Sequence, residues 1–184
     1  MIDIQTTPFS DLKILLPKRF QDDRGFFVET YNAARLLEHG IDCAFVQDNL
    51  SLSRDVGTIR GLHFQIPPFA QTKLVSVASG AVLDVAVDLR TASPTFGKYF
   101  AIELSQENGK QLLIPKGFAH GFCSLMPDTR VTYKVDAHYS ADHDAGIMWN
   151  DPNLAVKWPE IADATLLSPK DRTLMWFQDF KSPF

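Results

Sequence analysis

Residues 81–89 read Ala81-Val82-Leu83-Asp84-Val85-Ala86-Val87-Asp88-Leu89. Side chains along a strand alternate between two faces, so Val85, Val87 and Leu89 share one face, and Asp84, Ala86 and Asp88 share the other. Working outward, Gly80 separates this run from a second β-branched stretch, Lys73 to Ser79. Downstream, Lys98 to Leu104 and Gln111 to Ile114 flank a turn containing Asn108-Gly109, which predicts a hairpin. The whole reads as a hairpin series. Short alternating strands at this spacing predict an all-β barrel or jelly roll.

The chain's 14 Phe, 11 Pro and 10 Gly suit strands joined by many turns. Short peripheral helices are expected at two places. Asn32 caps Ala33 to Glu38, which stops at Gly40. Ser168-Pro169-Lys170-Asp171 reads as a cap, a helix-starting proline and a capping-box acid, closing the chain over one end. With no repeat, low-complexity tract or linker, residues 1–184 are expected to form one domain.

A formal charge of −4 and two distant cysteines, Cys43 and Cys123, bound the partners. Nucleic acid and anionic membranes call for a basic patch that this balance does not supply. No CxxC, signal-like N-terminus or membrane-length apolar run is present, so a reducing cytoplasm is the expected location.

Several ionisable residues fall on the apolar parity of expected strands, where a polar group is costly without a partner or a task. Lys73 shares parity with Val75 and Val77, Tyr133 with Val131 and Val135, and His120 with Phe118 and Phe122. His63 and Gln65 form a polar pair facing away from Leu62, Phe64 and Ile66. Singly, each has an ordinary structural explanation: a snorkelling lysine, an edge tyrosine, a satisfied core histidine. Together they describe a ligand cavity holding a base, a cation and a phenolic acid. Metal is not expected. Many metal-binding barrels carry His-x-His followed by Glu, whereas this chain has His63-Phe64-Gln65, leaving only a pairing of His63 with His120. Neither GxGxxG nor GxxxxGK[ST] occurs, so phosphates would be gripped by side chains. Arg24, Arg60, Lys73 and Lys170 are the candidate cations, with Phe27 and Tyr139 as stacking surfaces.

Four longer motifs carry a resemblance: Asp23-Arg24-Gly25-Phe26-Phe27-Val28-Glu29, Phe45-Val46-Gln47-Asp48-Asn49, Arg60-Gly61-Leu62-His63-Phe64-Gln65, and Pro115-Lys116-Gly117-Phe118-Ala119-His120-Gly121-Phe122. With Ser93-Pro94-Thr95-Phe96-Gly97, Trp149-Asn150-Asp151 and Leu167-Ser168-Pro169-Lys170-Asp171, they resemble, nearly end to end, the dTDP-4-dehydrorhamnose 3,5-epimerase family. The resemblance implies a cupin-type jelly roll, a homodimer, neither metal nor organic cofactor, and a dTDP-linked 4-keto-6-deoxyhexose as substrate. It implies His63 as general base oriented by Asp171, Tyr133 as acid on the opposite face, and Lys73 as the cation beside the C4 oxygen. The nucleotide and phosphates would fall to Arg24, Glu29, Gln47, Asn49, Arg60, His120, Tyr139 and Lys170, with Phe27 lining the site. Asp144 joins this set at a place where the family often has glutamate, and His138 stands where another aromatic is usual. Asp171 also suits a plain helix-capping role. A relative inverting only C3, a ketoisomerase of similar barrel form and a non-catalytic nucleotide-sugar-binding barrel are the competing readings. Arg172 to Phe184 carries no functional reading.

Overall fold

A computed structural model describes residues 2–184. Its strands are β1 (Ile2–Thr6), β2 (Lys13–Pro17), β3 (Arg19–Asp22), β4 (Gly25–Val28), β5 (Gln47–Ser53), β6 (Ile59–Gln65) and β7 (Lys73–Ser79). They continue with β8 (Ala81–Asp88), β9 (Tyr99–Ser105), β10 (Gln111–Ile114), β11 (Phe118–Ser124), β12 (Thr129–Val135) and β13 (Asp144–Gly146), and one α-helix, α1, spans Ala33–Glu38. Two antiparallel sheets result, in the orders β1-β2-β10-β7-β12-β5 and β13-β6-β11-β8-β9, while β3 and β4 form a separate ribbon.

From β5 to β13 every connection except β8 to β9 crosses from one sheet to the other, as in a jelly roll. Val75, Val77, Leu112, Ile114 and Val131 of the first sheet meet Val82, Ala86, Leu104, Phe118 and Phe122 of the second in the core between them. Burying each Val, Leu, Ile or Phe among them contributes about 1.5–3 kcal/mol against the entropy of ordering it. The more apolar face of β8 is therefore the outer one. Val85, Val87 and Leu89 pack under the last residues of the chain, Phe177, Phe180 and Phe184. Asp151 ties that tail down, its carboxylate accepting from the backbone N–H of Phe177 at 2.7 Å.

The hairpin expected at Asn108-Gly109 is not one. The turn has its predicted chemistry, with Asn108 Oδ1 accepting from the N–H of Ser105 at 3.2 Å and of Lys110 at 2.9 Å. Yet β9 pairs with β8, whereas β10 pairs with β2 and β7 in the other sheet. The arch wins because Leu104 and Leu112 then face each other across the core instead of lying side by side. The same correction applies at Gly80, between β7 and β8, which sit in different sheets. Gly80 has φ +80°, and a Cβ there would lie 2.3 Å from Thr129 Oγ1, so this tight corner requires glycine.

Both expected helical starts form. Asn32 Oδ1 accepts from Arg35 N at 3.2 Å to cap α1, and Gly40 takes φ +74° just beyond its end. At the second start only a single 3-10 turn, Asp171–Thr173, forms, with Ser168 Oγ accepting from Asp171 N at 3.1 Å.

Candidate active site

A cavity of about 520 Å³ opens between the two sheets. The second sheet supplies His63 from β6 and His120 from β11, which stand directly opposite in register. Glycine makes this possible: a Cβ on Gly61 would sit 2.6 Å from the Cα of Gly121, so the two strands approach only without side chains there. The first sheet supplies Lys73, Tyr133, Asn49 and Gln47, brought level by the pairings Tyr133 with Asn49 and Val135 with both Gln47 and Lys73.

His63 is half-buried, and its Nε2 lies 2.5 Å from Oδ1 of the buried Asp171. Burial pushes the Asp171 carboxyl up, but the bond and charge of His63 and the Gly61 N–H outweigh it and hold the group below its ordinary range. The carboxylate is thus turned to the imidazole. Ser168 supplies the capping half of the predicted motif, and the acid half is spent on His63.

Lys73 is buried, and its Nζ donates to the carbonyl oxygen of His63 at 3.3 Å. Burial pulls its pKa from 10.5 to about 8, against the opposing pull of Asp144 and Asp84. Burial likewise raises the Tyr133 phenol, with Arg60 opposing and Asp144 adding, so the hydroxyl keeps its proton. Base, ammonium and phenol all line the same cavity.

The mouth carries the polar residues expected to hold a ligand. Asp144 Oδ2 accepts from Lys170 Nζ at 2.5 Å and from the Tyr139 hydroxyl at 3.0 Å. Arg60 donates to Ser53 Oγ at 3.2 Å and to the Leu52 carbonyl at 2.8 Å, which fixes its guanidinium beside the cavity. Gln47 donates to Asn49 Oδ1 at 2.9 Å and accepts from the N–H of Tyr139 at 3.0 Å, anchoring the loop that carries this exposed ring.

Three expected ligand residues are not brought here. Arg24 and Phe27 lie on the β3–β4 ribbon, where Arg24 pairs with Asp22 at 2.6 Å and Phe27 is 69% exposed. Glu29, just past the ribbon, pairs with Arg35 of α1 at 3.0 Å. The reason is topological: among the described residues β3 and β4 form strand pairings only with each other and carry these residues away from the cavity of their own chain.

Gln65, paired with His63 in the sequence, takes a bracing role that was not assigned there, and Asp84 escaped the sequence reading of the site. Gln65 donates to the carbonyls of Phe69 at 2.7 Å and His138 at 3.2 Å and accepts from Ser140 N at 2.7 Å, stapling the cavity-side loops to β6. Asp84 lies fully buried beneath the cavity, 2.8 Å from Nε2 of His120. The signal for Asp84 was the one that singled out Lys73: an ionisable residue on an interior strand face. Among the described residues no three His, Cys, Asp or Glu side chains gather as a metal-holding group.

The family model for dTDP-4-dehydrorhamnose 3,5-epimerase matches residues 6–179. The chain belongs to this family. A dTDP-4-dehydrorhamnose 3,5-epimerase of Sinorhizobium fredii is 50% identical over 167 residues, 91% of this chain and 85% of the relative. The crystal structure of the Bacillus anthracis dTDP-4-dehydrorhamnose 3,5-epimerase with TDP and pyrophosphate bound is 55% identical, with a TM-score of 0.92 over 96% of this chain and 99% of that one. The dTDP-6-deoxy-D-glucose-3,5-epimerase of Legionella pneumophila, in complex with dTDP-4-keto-L-rhamnose, is 44% identical, with a TM-score of 0.92 over 98% of this chain and 95% of that one. Membership makes this chain an isomerase of the 3,5-epimerase type, and the cupin-type jelly roll implied by the resemblance is its fold.

Proposed function

We propose that the cavity converts dTDP-4-dehydro-6-deoxy-D-glucose to dTDP-4-dehydro-L-rhamnose in dTDP-L-rhamnose biosynthesis. The observation that carries this reading is the His63–Asp171 contact of 2.5 Å in the cavity that also holds buried Lys73 and Tyr133.

The protons at C3 and C5 are both α to the C4 ketone, so one base and one stabilised oxyanion serve both centres. His63 takes a proton, and the electrons of the broken C–H bond pass through the new enolate double bond to O4. Asp171 holds the imidazole in position and favours the imidazolium that forms. The Lys73 ammonium meets the developing O4 charge; deleting one such donor in other enzymes costs about 3 kcal/mol. Tyr133 returns a proton from the other face, which inverts the carbon. Tyr139, Asp144, Lys170, Gln47, Asn49, Arg60 and His120 bind the nucleotide and sugar.

The resemblance places Arg24, Phe27 and Glu29 among the substrate ligands, and the β3–β4 ribbon carries them off their own cavity with Phe20, Phe26 and Phe27 exposed. These facts support a homodimer in which each ribbon serves the partner's cavity. No helix among the described residues is long and apolar enough to cross a membrane. We place the enzyme in the cytoplasm as one catalytic domain working without metal or organic cofactor.

The deciding experiment is proton NMR of dTDP-4-dehydro-6-deoxy-D-glucose with the enzyme in D₂O. Deuterium entering both C3 and C5 is the expected result. Exchange at C3 alone would replace the reading with a single-centre epimerase, and a product whose carbonyl has left C4 would make the enzyme a ketoisomerase.

A further inference from the structure

Beneath the cavity lies an acid that the mechanism has not used. Asp84 sits on β8 at the parity of Val82 and Ala86, which turns it into the space between the sheets, and it is completely buried. Its Oδ1 lies 2.8 Å from Nε2 of His120 on the neighbouring strand, β11. Its Oδ2 is buried with no hydrogen-bond partner among the described residues. Leaving a carboxylate oxygen in such a place is costly, and nothing in the packing repays it.

The surroundings show where that unpartnered charge acts. Lys73, buried on β7, lines the cavity with His63 of β6, His120 of β11, Tyr133 of β12, Asp144 of β13 and Lys170 from the segment before the last 3-10 turns, and Asp84 of β8 lies behind His120, 2.8 Å from its ring, where its charge favours the Lys73 ammonium. Three of these are held in short contacts of their own: His63 with Asp171 at 2.5 Å, and Asp144 with Lys170 at 2.5 Å. Asp84 is the buried acid near Lys73 that keeps one oxygen free.

We propose that Asp84 is a positioning residue of this reaction, orienting the His120 ring and keeping Lys73 in its ammonium form while charge develops on O4. The proposal rests on the epimerase reading above. Burial favours the neutral amine, and Lys170 adds to that tendency; Asp144 and Asp84 are the charges that oppose it. Asp144 stands at the open mouth, where a bound anionic ligand competes for its partners. Asp84 lies out of reach of ligand and solvent, so its pull on Lys73 persists through the catalytic cycle.

Asp84→Asn tests this, because the amide keeps the shape and can still accept from His120 while the charge is gone. The readouts are the pH profile of kcat and the side-chain titration of Lys73, followed by ¹³C NMR with Lys73→Arg assigning the resonance. The expected result is near-normal kcat on the acid side and an alkaline limb moved down by about one pH unit, with the Lys73 titration moving alongside. A uniform fall in kcat with Lys73 titrating where it does in the wild type would overturn the proposal. Asp84→Ser, which removes the charge in a smaller side chain, is the second variant, and the same shift is expected. Failure of both to fold would show Asp84 to be structural and overturn it too. The titration needs no turnover, so the two readings fail separately. A wild type that exchanges neither C3 nor C5 protons would overturn the epimerase reading, whereas an unmoved Lys73 titration overturns this proposal alone.

Discussion

His63 Nε2 and Asp171 Oδ1 stand 2.5 Å apart although 108 residues separate them in the chain. The strand β6 delivers the imidazole and the turn after Pro169 delivers the carboxylate, so the pair exists only once the C-terminal segment has folded back across the second sheet. His63→Ala is expected to fold and bind dTDP yet lose turnover by roughly 10³-fold or more, together with C3 and C5 deuterium exchange. Asp171→Asn should lose about 10²-fold or more, because the ring keeps its place but loses its counter-charge. Kinetics with a dTDP-binding measurement check both, and unchanged turnover in His63→Ala would remove the base.

Tyr133→Phe separates the two faces of the reaction. The hydroxyl is held protonated by burial, so its loss removes the acid and leaves the base intact. Deuterium exchange is expected to continue while inverted product falls by about 10²-fold or more. Loss of exchange and inversion in equal measure would assign Tyr133 to the first proton transfer instead.

Lys73 should trade stability for function. Its pKa falls from 10.5 in the unfolded chain to about 8 in the fold. Below pH 8 both forms carry the proton and the burial cost is felt in full. Between about 8 and 10.5 the folded protein sheds the proton first, and the cost fades as pH rises. Lys73→Met is therefore expected to abolish turnover and raise stability at neutral pH by up to about 3 kcal/mol, the gap narrowing toward pH 10. Urea unfolding of both proteins at pH 7 and pH 10 measures it.

The ribbon makes a prediction about mixed dimers. Arg24→Ala and His63→Ala should each be inactive alone. Co-expressed, they should recover about a quarter of wild-type activity, since half the dimers are mixed and each has one site with both residues intact. No recovery, or a monomer mass by light scattering, would end the shared-site account.

Prolonged treatment with a chelator is expected to leave turnover unchanged. Activity lost on chelation and restored by one added metal would require a metal role for His63 and His120.

Parity along individual strands was enough to pick out Lys73, Tyr133 and His120, because a charged or polar group on an apolar face is costly wherever the strand ends up, and to set His63 beside Gln65 on the polar face of its strand. The same parity passed over Asp84, which it set only on a face shared with Ala86 and Asp88. In the fold Asp88 is spent on Arg90, Ser93 and Thr95, while Asp84 lies under the cavity. The tail from Arg172 onward carried no functional reading, because its phenylalanines matter only through the outer face of β8, which they cover.

Local chemistry settled what each segment would be: alternation made the strands, Asn32 and Gly40 bounded α1, and Ser168 began the last turn. These are decided within a few residues, by sterics and short-range hydrogen bonds, and so they can be read from the chain alone. Which strands pair is a different matter. Asn108-Gly109 turns the chain equally well for a hairpin or an arch, and only burial of Leu104 against Leu112 across the core selects the arch. The joining of His63 to Asp171, the free oxygen of Asp84 and the departure of Arg24, Phe27 and Glu29 from their own cavity follow from that long-range choice. It is made by packing summed over both sheets, a quantity that no single stretch of sequence contains.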